Sequence, residues 1–69
     1  MADRYLVQIN IAKLRDNLST AEKKPWTDEQ VKEMLRQEHF IERPDGWLCE
    51  DMTLDFLDKS EIISKRRFN

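Results

Sequence analysis

Between Trp26 and His39 the apolar positions fall three and four apart. Val31, Met34 and Leu35 lie on one face, and His39 continues it four residues on. That is the rhythm of an amphipathic helix with a narrow buried stripe. Several local devices place its start. Thr27 can cap the orphan N–H groups of the first turn, and Gln30, three residues later, completes a capping box. Trp26 and Val31 occupy the two positions of a hydrophobic staple. Asp28 and Glu29 put negative charge where the helix dipole favours it, and Pro25 stops an earlier helix from running through. On the exposed side Asp28 and Glu29 are both in reach of Lys32, modest supporting pairs.

The rhythm then shortens. Phe40-Ile41-Glu42-Arg43 and Trp47-Leu48-Cys49-Glu50 are rich in strand formers and flank Pro44-Asp45-Gly46. Proline presets the first turn position, aspartate suits the second, and glycine accepts the positive φ of a bulge. This predicts a β-hairpin with a Pro44–Gly46 loop. Arg43 then faces Trp47 and Ile41 faces Cys49 on one side, while Glu42 faces Leu48 and Phe40 faces Glu50 on the other. One face must pack on helices, because an isolated hairpin is marginal.

The flanks are less clear. Tyr5, Val7, Ile9 and Ile11 alternate as a strand, yet Val7, Ile11, Leu14 and Leu18 also fit a helix. The expectation is a short strand near Tyr5–Gln8, able to join the hairpin, followed by a helix from Asn10 as cap to Leu18 or Ser19. Ser19 to Pro25 reads as a polar connection. After the hairpin, Asp51 or Thr53 caps a third helix through Leu54, Phe56 and Leu57 and on towards Ile62 and Ile63; equally, Ser60 restarts it after a break at Asp58-Lys59. Residues 65–69 read as a frayed basic tail. The prediction is an α+β fold: one small domain over residues 1–64, ordered (β)-α-α-β-β-α, with three helices packed on one hairpin.

Composition narrows the function classes. With 69 residues the chain is one domain at most and buries only about 60% of its unfolded surface. That leaves no room for a large enclosed pocket. Charged residues at 38% and hydrophobic residues at 39% suit a small folded domain rather than a disordered chain. A single cysteine excludes an internal disulfide. The absence of a long apolar run argues against a membrane partner, and a cytoplasmic location is the default expectation. Six acids against Lys59 alone lie between Asp45 and Glu61, and three bases follow from Ile62. Such a distribution suits a solvated acidic face, or an acidic surface that docks a basic partner.

Catalytic chemistry is thinly represented. His39 and Cys49 are the only histidine and cysteine, and the hairpin brings them near each other. No oxyanion donor accompanies them, so Cys49 reads as a small buried hydrophobe. His39, Cys49, Glu50 and Asp51 lack the paired spacing of a zinc site, and one glycine cannot build a phosphate loop. No enzyme activity, metal or cofactor is expected.

Two binding readings remain. The first is a small non-enzymatic protein-interaction or regulatory module, acting through Phe40, Arg43 and Trp47 of the hairpin and Asp51, Asp55 and Asp58 of the acidic segment. Aromatic residues and arginine are enriched at interface hot spots. The competing role for Trp47 is core, favoured by the high average burial of tryptophan. The partner would be another protein with a basic surface, or a second copy in a homodimer. The alternative rests on topology: a helix followed by a hairpin resembles part of a winged-helix arrangement, which implies nucleic-acid binding through helix and wing. Lys32, Arg36, Arg43, Lys65, Arg66 and Arg67 would carry it. Glu29, Glu33, Glu38 and Asp45 share the same elements and count against it, as does the net charge of −2.

Overall fold

Alternation in the N-terminal stretch decides for a strand. The computed structural model describes residues 3–68, so Met1, Ala2 and Asn69, at the ends of the expected domain and tail, lie outside the described residues. Strand β1 spans Arg4–Ile9 and sends Tyr5, Val7 and Ile9 into the core. Asn10 then caps helix α1, Ile11–Glu22, its side chain accepting from the Lys13 N–H at 3.1 Å. The helix runs three residues past its expected end at Ser19. It stops at Lys23, which adopts the left-handed conformation at φ 57°. The Lys24 N–H closes the end on the Ser19 carbonyl at 3.2 Å.

Helix α2, Asp28–Gln37, starts where the sequence places it, and both arms of the capping box form. The Gln30 N–H donates to Thr27 Oγ1 at 3.2 Å, and the Thr27 N–H to Gln30 Oε1 at 2.9 Å. Val31 is fully buried, with Trp26 packed against the same cluster, as a staple requires. Trp26 is pinned twice more: its N–H donates to Ser19 Oγ at 3.1 Å and its Nε1–H to Glu22 Oε2 at 3.1 Å. The helix ends on a second left-handed residue, His39 at φ 72°, with the Phe40 N–H donating back to the Leu35 carbonyl at 3.0 Å.

The hairpin forms with a different register. Strands β2, Ile41–Arg43, and β3, Gly46–Glu50, pair Arg43 with Gly46, Glu42 with Trp47 and Ile41 with Leu48. The turn is therefore Pro44-Asp45, with Gly46 already in the strand. The cause lies in β1. A Cβ on Gly46 would meet the Val7 carbonyl oxygen at 2.7 Å and Gln8 Nε2 at 2.9 Å, and its φ is 145°. The glycine is needed for the approach of a third strand, and the Gln8 amide donates to the Asp45 carbonyl beside it. The slip settles the faces: Trp47 and Cys49 point to the helices, and Leu48 points to the open side.

The C-terminal third departs most from expectation. Helix α3 is only Asp51–Leu54, and a 3₁₀ turn, Lys59–Glu61, replaces its continuation. Asp58 and Glu61 form a reciprocal capping box that restarts the chain. Residues expected as helix end and frayed tail form strand β4, Ile62–Arg67, pairing with β1 from Tyr5–Arg67 to Ile9–Ile62. Among the described residues the result is a small α+β fold with three helices and a four-stranded antiparallel sheet of order β2-β3-β1-β4. The core lies between the helices and one sheet face, around Val7, Val31, Leu35, Phe40, Trp47 and Leu57. Glu61 is buried at the α1 side, where its carboxylate accepts from Asn17 Nδ2 at 2.5 Å and from the Asp58 N–H at 2.9 Å.

A candidate docking groove and the two sheet edges

The sheet has one face on the helices and one open to solvent. Because strands alternate, the row Ile41-Leu48-Leu6-Arg66 lies on the open face. Leu6 and Leu48 are nevertheless buried. Arg43 lies over the Phe68 ring at 5.1 Å on this face, a cation–π contact. Where this face meets α3, a groove of about 380 Å³ opens. Ile41, Leu48 and Met52 supply its apolar surface, with Arg4, His39, Glu50 and Thr53 around them and Cys49 beneath. Met52 is 85% exposed and Ile41 58%, and the two line the same concavity.

The expected protein-binding residues divide. Phe40 and Trp47 belong to the core, Trp47 at 6% exposure, so neither presents a surface. The tilted contact of Phe40 with Phe56, centroids 6.5 Å apart, helps hold the segment after α3. Arg43, Asp51, Asp55 and Asp58 are exposed. Ile41 and Met52, the residues that give the groove its apolar character, escaped the sequence reading. Their signal was available only as unexplained hydrophobes, one on a three-residue strand and one on a four-residue helix.

The expected nucleic-acid residues mostly have acidic partners. Lys32 lies 4.0 Å from Glu29. Arg36 bridges Glu33 at 3.1 Å and Glu42 at 2.7 Å. The Glu42 hydrogen bond pushes the Arg36 pKa up; desolvation opposes this and Glu33 adds to it. Arg43 meets Asp45 at 3.4 Å and Arg67 meets Asp3 at 2.7 Å. Lys65 lies over the Tyr5 ring at 5.1 Å. The residues do not converge: Lys32 and Arg36 sit on α2, while Lys65, Arg66 and Arg67 line the β4 edge across the sheet from β2.

His39 and Cys49 do border one groove, as the hairpin suggested. The thiol is unsuited to nucleophilic work. Burial, reinforced by Asp51 and opposed by Lys65, pushes it up to about 11, so it stays protonated at neutral pH. Among the described residues no cluster of three or more histidine, cysteine or acidic side chains is arranged to hold a metal ion. No helix among them is long and apolar enough to cross a membrane. Comparison with models of known families, with characterised proteins and with solved structures finds no match for this chain.

Proposed function

We propose that this chain is a small non-enzymatic protein-interaction module that receives a basic, partly apolar segment of a partner protein in the groove between the hairpin and α3. One observation carries the reading: the apolar exposure of Ile41 and Met52 in a concave site. Glu50 lines that site, and Asp51, Asp55 and Asp58 follow it along the chain. Apolar contact supplies the affinity, and the acids select the partner's charge. The test is titration of isotope-labelled protein with an amphipathic peptide of alternating lysine and leucine. Resonances of Ile41, Leu48 and Met52 should shift, and Met52→Asp should abolish the response. Binding unaffected by Met52→Asp, or no shift at all, would overturn the proposal.

A winged-helix-like nucleic-acid regulator is the second reading. It draws on one observation: α1 and α2 pack as a helix pair that leads directly into the β2–β3 hairpin. The carboxylates paired with Lys32, Arg36 and Arg43 weaken it, since each must be displaced before a phosphate is met. Anisotropy of labelled duplex DNA at low and moderate salt separates the two readings, because phosphate contacts make affinity steeply salt-dependent.

A further inference from the structure

The outer edge of β4 stands apart from the groove. It is six residues long, twice the length of the opposite edge strand β2. Its hydrogen-bonding direction can be read from one contact: the Phe68 N–H donates to the Arg4 carbonyl at 2.9 Å, towards β1. In an antiparallel ladder successive residues alternate between facing the partner and facing away. Arg66 and Ser64 therefore use their backbone on β1, while the N–H and C=O of Lys65 and Arg67 point outward. Side chains along this edge are exposed, including Ile63 at 68%. Among the described residues no carboxylate forms an ion pair with Lys65 or Arg66, and the only acid paired with the run is Asp3, at Arg67.

We propose that the β4 edge is a second docking site, which takes an acidic, extended segment of a protein as an added strand. The occupant would carry carboxylates opposite Lys65, Arg66 and Arg67, the regular stretch of an edge whose register slips beyond Ser64, where Ile63 has no partner on β1. Main-chain hydrogen bonds to Lys65 and Arg67 supply the common affinity of strand addition, and the side chains supply selection. A second copy of this chain fits poorly: antiparallel self-pairing that brings the outward residues of two β4 edges face to face sets Lys65 against Lys65, and facing like charges destabilise. A nucleic acid would use the charge but leave the outward amides unused. The simplest competing role is protective: lysine and arginine on an edge deter unwanted pairing.

The experiment uses the full chain and a labelled peptide of three consecutive glutamates flanked by valines, followed by anisotropy at low salt. Saturable binding is expected, with the Lys65 and Arg67 amides gaining protection from hydrogen exchange. Arg66→Glu, at an exposed position, should weaken binding about ten-fold. The same peptide N-methylated at alternate residues along one edge keeps its charge but loses that ladder, and it should not bind. Equal binding of the N-methylated peptide would reduce the site to charge attraction and overturn the proposal. So would tighter binding of a single-stranded oligonucleotide, or no binding of the peptide, which would leave the edge a guard only. Met52→Asp should leave this binding unchanged, so the result is independent of the groove.

Discussion

Replacing Gly46 with alanine tests the register of the whole sheet. Two costs act together. At φ 145° an L-residue sits in sparsely populated backbone space, which costs about 1–3 kcal/mol. The new methyl would also lie 2.7 Å from the Val7 carbonyl oxygen, a backbone atom in the central strand, and 2.9 Å from Gln8 Nε2. The glutamine can swing away, losing its bond to the Asp45 carbonyl, but the carbonyl moves only if β1 and β3 separate. Overpacking of this kind costs about 1–3 kcal/mol. Alanine's smaller unfolded-state entropy returns about 0.4–1 kcal/mol. The net loss is about 1–6 kcal/mol, set against about 3–10 kcal/mol of total stability for a chain of this length. In a domain of this size each kcal/mol moves Tm by about 4–8 °C. Thermal unfolding followed by circular dichroism should show a fall of at least about 4 °C. A fall under about 4 °C would mean that Gly46 is not pressed against β1 and that the two-residue turn is misassigned.

His39→Gly should raise stability by about 0.5–1 kcal/mol in urea unfolding, because glycine takes the left-handed C-terminal position of α2 without strain; a loss would show that the imidazole makes a contact worth more than that strain. Asn17→Ala removes one partner of the buried Glu61 carboxylate and should cost about 1 kcal/mol after alanine's helix propensity is counted. An unchanged midpoint would mean that water replaces the amide. The raised thiol of Cys49 gives a signed pH dependence: the folded state holds the proton more tightly than the unfolded chain, so this stabilisation is complete below the ordinary value of 9.0 and is lost as pH rises towards about 11. The pH 9–11 decline in Tm should be shallower in Cys49→Val than in the parent protein; equal slopes would show that the thiol is not responsible.

Legibility in the sequence followed how local each cause was. Thr27, Gln30, Trp26 and Val31 specify the start of α2 within five residues of one another: both capping-box bonds form, and Trp26 packs on the cluster that holds Val31. The hairpin was legible as a hairpin but not in register, because the residue that decides it, Gly46, answers to Val7 on a distant strand. Strand β4 was illegible for another reason. Its residues are mostly exposed on both faces, so burial imposes no alternation and its three bases look like a tail. The third helix was cut short by the Asp58–Glu61 box, a signal present in the sequence but outweighed by Leu54, Phe56 and Leu57. For the candidate site, chemistry pointed to the hairpin and the acidic segment, but the aromatics it favoured serve the core, and Ile41 and Met52 became visible only once the fold placed them together.

The central position of β1 bears on how the protein is made. β1 is synthesised first of the four strands, yet it pairs with β3 on one side and β4, the last strand, on the other. On a ribosome β1 can pair with β3 only after Glu50 has emerged, and the β1–β4 ladder cannot close before the exit tunnel releases Arg67. Such long-range pairing is slow and leaves hydrophobic strand exposed in the interval. In that interval Leu6 and Val7, both buried in the finished fold, lie exposed to solvent and to any chaperone.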